Sequence, residues 1–237
     1  MSRNNDQRSG ARKNNTTPAA ITAPPSQNQP FSFVMPTELV DLPSKGEFYP
    51  EDHPLHGKDV IEIRHMTAKD EDILTSRSLL KKGVAIDKLL KSVIVDKSID
   101  PNSLLVGDKN ALLVATRASG YGIEYKTDVQ CPNCGTRNRF EFDISDPQVF
   151  SPSDEFFEEE GIERGPDGTF VLDLPRSKVC VTIRLLNGYD EKKLAERIKQ
   201  RKKAKMPESN STEQFRLIIT AVNGDESKSS INQFISM

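Results

Sequence analysis

The stretch CPNCG, residues 131–135, constrains this chain more than any other part of it. Two thiols at Cys-x-x-Cys spacing can reach one metal ion, because the turn between them points both sulfurs inward. Gly135 permits the tight backbone such a knuckle needs. A structural zinc takes four ligands in tetrahedral geometry, and here only Cys131 and Cys134 carry the pattern. Cys180 stands alone in SKVCVTIRL, where it reads as a small buried hydrophobe or a third ligand. His53 and His56 sit in the loop EDHPLHG and His65 ends a strand-like run, so none has a spacing that marks a fourth ligand. Three outcomes stay open: a zinc site completed within the chain, a site completed by another copy or another protein, and a metal-free knuckle held by its hairpin. A thioredoxin-type redox pair would open a helix after a strand. This pair lies between two strand-like segments, so redox chemistry is not expected.

The remaining features exclude whole classes. An odd count of 3 cysteines argues against a disulfide framework and fits a reducing compartment. No apolar run approaches the ~18 residues that span a bilayer, and no apolar segment follows the basic N-terminal residues as in a secretory signal. The net charge of −2 sets up no global field toward nucleic acid or acidic lipid. Charge is nevertheless segregated. DEFFEEEGIE at 154–163 is acidic and EKKLAERIKQRKKAK at 191–205 is basic, a pattern suited to protein contact. No nucleophile elbow, phosphate loop or dinucleotide fingerprint is present. No catalytic residue can be named, and an enzyme is not expected.

Periodicity places the elements. Residues 1–30 are polar and Pro-rich and read as a disordered arm. Residues 31–237 read as one α+β domain. Its helical part lies at about 60–120, after the strand VIEIRHM. Thr67 caps a helix over 67–82, with Asp70 completing a capping-box-like Thr-x-x-Asp and Gly83 ending it. Leu89, Leu90, Val93 and Ile94 form the apolar stripe of a helix over 85–95. A third helix, 108–118, ends before SGYG. The knuckle hairpin spans 122–143 and an acidic insert 144–166. Strands and C-terminal helices fill 169–237, beginning with two strands joined by a turn at 175–177. The basic helix over 190–205 comes next. Then comes a helix from Thr212, whose Phe215, Ile218, Ile219 and Val222 recur at i, i+3, i+4 and i+7. A final short helix is capped by Ser229 or Ser230. No internal repeat is evident.

Several stretches in this order resemble one known family. They are LPSKGEFYP, IEIRHMTAKDEDILTSRSLLKKGVAIDKLL, LLVGDKNALLVATRASGYGIEYKTDVQCPNCG and FRLIITAVNGDESKSSINQFI. Together they are similar to the baseplate hub and hub-assembly proteins of T-even-type contractile-tailed bacteriophages, over about residues 31–237. The resemblance implies a non-enzymatic hub component or assembly factor that acts by protein–protein contact. It implies other hub and tail proteins as partners, with self-association a further option, and no membrane. It places the protein in the host cytoplasm during assembly and in the tail baseplate. The family pattern continues past SSINQFI to a second Cys-x-x-Cys, so the resemblance also implies a truncated or split chain. The expected contact surfaces are the LPSKGEFYP arm, the acidic insert and the basic helix. The alternative is a nucleic-acid-binding zinc-knuckle protein, which the lysine and arginine clusters would serve.

Overall fold

A computed structural model describes residues 35–145, 153–165, 168–207 and 209–236. The arm expected at 1–30 lies outside the described residues. The architecture is α+β, with eight helices and three small antiparallel sheets among the described residues.

The first sheet pairs β1 (Thr37–Asp41) with β2 (Val60–Arg64). Thr67 caps α1 (Ala68–Thr75), and the Thr67 backbone N–H and hydroxyl both donate to Asp70 Oδ2, at 2.8 and 2.7 Å. The single helix expected over 67–82 is two. Ser76 adopts extended backbone, ψ 106°, and α2 (Arg77–Lys82) starts afresh before Gly83 ends it at φ 69°. Serine's hydroxyl competes for backbone groups, which suits it to such a break.

The stripe on α3 (Ala85–Val93) is buried as expected. Leu89, Leu90, Val93 and the following Ile94 pack on Ile61 and Ile63. Each such side chain contributes about 1.5–3 kcal/mol by leaving water. The helix α4 (Val106–Tyr121) runs through Ser119 and Gly120, past the stop expected at 118. A Cβ on Gly120 would lie 2.9 Å from Met66 Sδ, so this glycine serves close packing rather than termination. The second sheet is the hairpin of β3 (Glu124–Gln130) and β4 (Arg137–Asp143).

In the acidic insert α5 (Asp154–Glu159) is capped by Ser153 and followed by β5 (Ile162–Arg164). The third sheet has the order β5, β6 (Thr169–Asp173), β7 (Cys180–Arg184) and β8 (Ile219–Val222). The basic helix α6 (Gly188–Lys203) follows β7. The helix α7 (Asn210–Ile218) ends where its apolar stripe was expected to continue. Ile219 turns extended, and Ile219 and Val222 belong to β8. The last helix, α8 (Lys228–Ile235), is capped by Ser227, not by Ser229 or Ser230, because the Ser227 hydroxyl accepts from Ser230 N–H at 3.2 Å. It buries Ile231 against Val181 and Val222.

Aligned by strand register, the chain repeats a pattern. TELVDLPSK (37–45) answers TFVLDLPRSK (169–178), and VIEIRHMTAKD (60–70) answers CVTIRLLNGYD (180–190). Thr37 pairs with Arg64 and Asp41 with Val60; Thr169 pairs with Arg184 and Asp173 with Cys180. In each unit helices follow, and the chain returns antiparallel to the second strand. Ile94 bridges to Ile63, and Ile219 pairs with Ile183. The repeat escapes a sequence reading because only the hairpin and the cap share residue types. The connection between the strands is 42–59 in one unit and 174–179 in the other.

The two units meet at Gly188. Its N–H donates to Leu104 O at 3.1 Å, and the next residue, Tyr189, donates from N–H to Asn102 O at 3.0 Å. Tyr189 Oη also bonds Asp100. Lys109, largely buried, bridges Asp87 and Glu191 at 3.1 and 2.8 Å.

Candidate functional site

The knuckle sits at the tip of the β3–β4 hairpin. Gly135 N–H donates to Cys131 O at 2.9 Å, and Cys131 N–H donates to Thr136 O at 2.9 Å. Gly135 takes φ 73°, in the left-handed region. Cys134 Sγ lies 3.3 Å from Thr136 Oγ1. The Thr136 side chain and backbone, and then Cys131, pull the Cys134 thiol down to about 7. Cys134 is exposed and Cys131 partly so.

The sequence candidates for completing a metal site go elsewhere. Cys180 lies on β7, partly buried, where desolvation and then Asp173 push its thiol up. His53 stacks on Tyr49 at 4.3 Å and its Nε2 bonds Ser103 Oγ at 2.8 Å. His56 Nδ1 bonds Tyr49 O at 2.7 Å. His65 N–H donates to Pro36 O. Among the described residues no group of three or more His, Cys, Asp or Glu comes together as a metal site.

The hairpin that carries the knuckle is amphipathic. Strand alternation puts Tyr125, Thr127 and Val129 on one face, opposite Phe142, Phe140 and Asn138. Tyr125, Val129, Phe140 and Phe142 are each 43–51% exposed. The other face is charged, with Lys126 bridging Glu141 at 3.4 Å and Arg139 bridging Asp128 at 3.1 Å. The root is anchored. Arg117 of α4 donates to Gly122 O and Glu124 O, at 2.8 and 3.1 Å, and its guanidinium lies over Tyr125.

The LPSKGEFYP segment is not the free surface it was expected to be. Leu42, Ser44 and Tyr49 are buried. Tyr49 Oη donates to Asp108 Oδ2 at 2.7 Å and accepts from Leu105 N–H at 3.1 Å, while Ser44 N–H and hydroxyl bond the same carboxylate. This loop plugs the first core. The described carboxylates of the acidic insert are exposed on a small aromatic base: Phe157 stacks on Phe170 at 5.7 Å and Arg164 covers Phe157 at 4.7 Å. On the basic helix Arg197 and Arg201 turn toward Glu213, which is buried and also bonds Arg216 at 2.7 Å. Lys199, Lys202 and Lys203 of α6 are exposed, and Arg197 stays exposed while it reaches Glu213.

Sequence reasoning missed one surface. In the second unit the face of β6 and β7 (Leu172, Leu174, Val181, Ile183), with Phe215, Ile218 and Phe234, lines an open apolar groove of about 610 Å³. In the first unit the matching face is filled by Tyr49, Leu55 and Leu104. The long connection 42–59 supplies Tyr49 and Leu55, and 174–179 has nothing comparable. The apolar alternation of TFVLDL was the available signal, but it does not say which side stays open.

A family model described as T4 bacteriophage base plate protein matches residues 35–165, more than half of the 237-residue chain. The chain belongs to the T4 bacteriophage base plate protein family. The match covers the first unit of this baseplate protein, its knuckle hairpin and the acidic insert, and stops before β6. No curated protein matches the chain, and no solved structure matches it. No helix among the described residues is long and apolar enough to cross a membrane.

Proposed function

We propose that this baseplate protein acts as a hub component or hub-assembly factor, working by protein–protein contact and without catalysis, in the host cytoplasm during assembly and in the tail baseplate. The family match over residues 35–165 carries the reading. The surfaces support it. An uncovered apolar hairpin face, an open apolar groove, an acidic insert and a lysine-bearing helix suit docking, and segregated charge speeds and orients such encounters more than it tightens them. On the basic helix Arg197 and Arg201 pair with Glu213, which leaves mainly lysines to serve the nucleic-acid alternative.

The test is complementation. A phage lacking this gene product, supplied with the wild-type chain in trans, should form complete tails. A chain carrying Phe215→Asp and Ile218→Asp, which charge the groove without touching the first core, should fail to restore them while staying folded. Normal tails in the absence of the protein would end the assembly reading. Salt-sensitive DNA or RNA retention by the purified chain would move the reading to the alternative.

A further inference from the structure

Two features of the hairpin point the same way: a thiol pair with half the ligands a metal needs, and an apolar face left open beyond Tyr125, over which Arg117 lies. We infer that Cys131 and Cys134 form half of a tetrahedral zinc site that a second copy of this chain completes with its own two thiolates, so that zinc clips two knuckle hairpins into a dimer.

The ligand count comes first. Structural zinc is closed by four ligands, and the turn presents two sulfurs at one tip. No third donor joins them among the described residues. A second copy supplies the missing pair, and each of the four thiols gives its proton to solvent as it binds.

The hairpin supplies the geometry. A two-stranded hairpin alone in water is marginal, yet β3 and β4 hold seven paired residues each with an apolar face open to solvent. That face carries Tyr125, Thr127, Val129, Asn138, Phe140 and Phe142 and no formal charge. Away from Arg117, which lies over Tyr125 at the root, two identical copies can meet through Val129, Asn138, Phe140 and Phe142 without opposing like charges. Sheets pack face to face about 10 Å apart. A two-fold axis along the hairpins stacks the faces and brings the two CPNCG tips together. Residue 131 continues the odd-numbered, apolar-face series of β3, which places the first thiol of each copy on the side that meets its partner.

The test uses the full chain, purified with a phosphine reductant and zinc sulfate. Native mass spectrometry and metal analysis should find a dimer holding one zinc per two chains. EDTA should return it to monomer. Cys131→Ser with Cys134→Ser should give a metal-free monomer with an unchanged far-UV circular dichroism spectrum. Phe142→Ser, which leaves the thiols intact, should weaken zinc-dependent dimerisation by tenfold or more. A monomer holding one zinc, a monomer that ignores excess zinc, a dimer indifferent to EDTA, or a dimer linked by disulfide would each overturn the inference. It is independent of the assembly role: a monomeric, zinc-free chain that still restores tails keeps that role and loses this site.

Discussion

Arg64 donates to both carboxylate oxygens of Asp70, at 2.7 and 2.9 Å, closing a clasp between the end of β2 and the first turn of α1. Arg184 and Asp190 repeat it between β7 and α6, at 2.8 and 2.8 Å. Each carboxylate also accepts the N–H of its helix cap, Thr67 or Asn187. Asp70 is fully buried, so removing its partner strands a charge. Arg64→Met should cost about 3–5 kcal/mol. Arg184→Met should cost less, because that guanidinium is more open to water. Urea unfolding monitored by circular dichroism checks both.

The same clasps set an acid limit. Burial alone would raise the Asp70 carboxyl, but Arg64, Ser92 and Thr67 outweigh it and hold the group well below its ordinary value. Asp190 is lowered likewise, with Arg184 outweighing burial. A depressed carboxyl binds fewer protons folded than unfolded. Its contribution is therefore full above the ordinary carboxylate range, about 4, and is lost as pH falls below it. Thermal unfolding should show Tm flat near neutrality and falling below about pH 4. Arg64→Met should lessen that acid-dependent fall, since its Asp70 no longer has a depressed value to lose.

Tyr49 ties the connection 42–59 to the N-terminus of α4 through Asp108. Tyr49→Phe keeps the ring and removes one hydroxyl. It takes a donor from a buried carboxylate and an acceptor from Leu105 N–H. Leaving such groups unmatched costs about 1–3 kcal/mol. The denaturant midpoint should fall with an unchanged slope, the mark of lost stability without a change in exposed surface.

What the sequence disclosed follows from the range of each signal. The Thr67–Asp70 cap, the α3 stripe and the knuckle hairpin are local patterns of a few residues, and all three appear in the fold. The stripe at Phe215, Ile218, Ile219 and Val222 misled because three of the four residues of ITAV are β-branched and the segment follows two apolar helical positions. Pairing with β7, distant in sequence, decides it. LPSKGEFYP reads as an exposed arm from its Pro and Gly content, yet Asp108 sits more than fifty residues away and pulls Ser44 and Tyr49 inside. The open groove was illegible for the same reason. Whether TFVLDL is covered depends on what the connecting loop delivers.

Gly188 tests how tightly the two units are joined. A Cβ there would meet Asn102 Cα and O at 3.0 Å, and both are backbone atoms that cannot swing aside. Gly188→Ala should cost about 1–3 kcal/mol, as overpacking does. The loss should show locally as well. Amide exchange should quicken at Gly188 and Tyr189, which donate to Leu104 O and Asn102 O, and the α3 core should remain protected. Unchanged exchange at these amides would show that the contact yields without strain.

The three thiols should separate by reactivity. Only the thiolate attacks an alkylating agent, and the Thr136 contacts pull Cys134 down to about 7 while burial and Asp173 push Cys180 up. Between pH 6 and 8 the Cys134 thiolate should grow from a minority to a majority, whereas Cys180 should stay almost wholly protonated. Iodoacetamide labelling of the metal-free, reduced protein, read by peptide mass spectrometry, should modify Cys134 first, with a rate midpoint near pH 7. Thr136→Val removes the hydroxyl and keeps the branched shape, so it should move that midpoint upward. Excess zinc should protect Cys134 and leave Cys180 unaffected, because Cys180 lies on β7 and outside the knuckle.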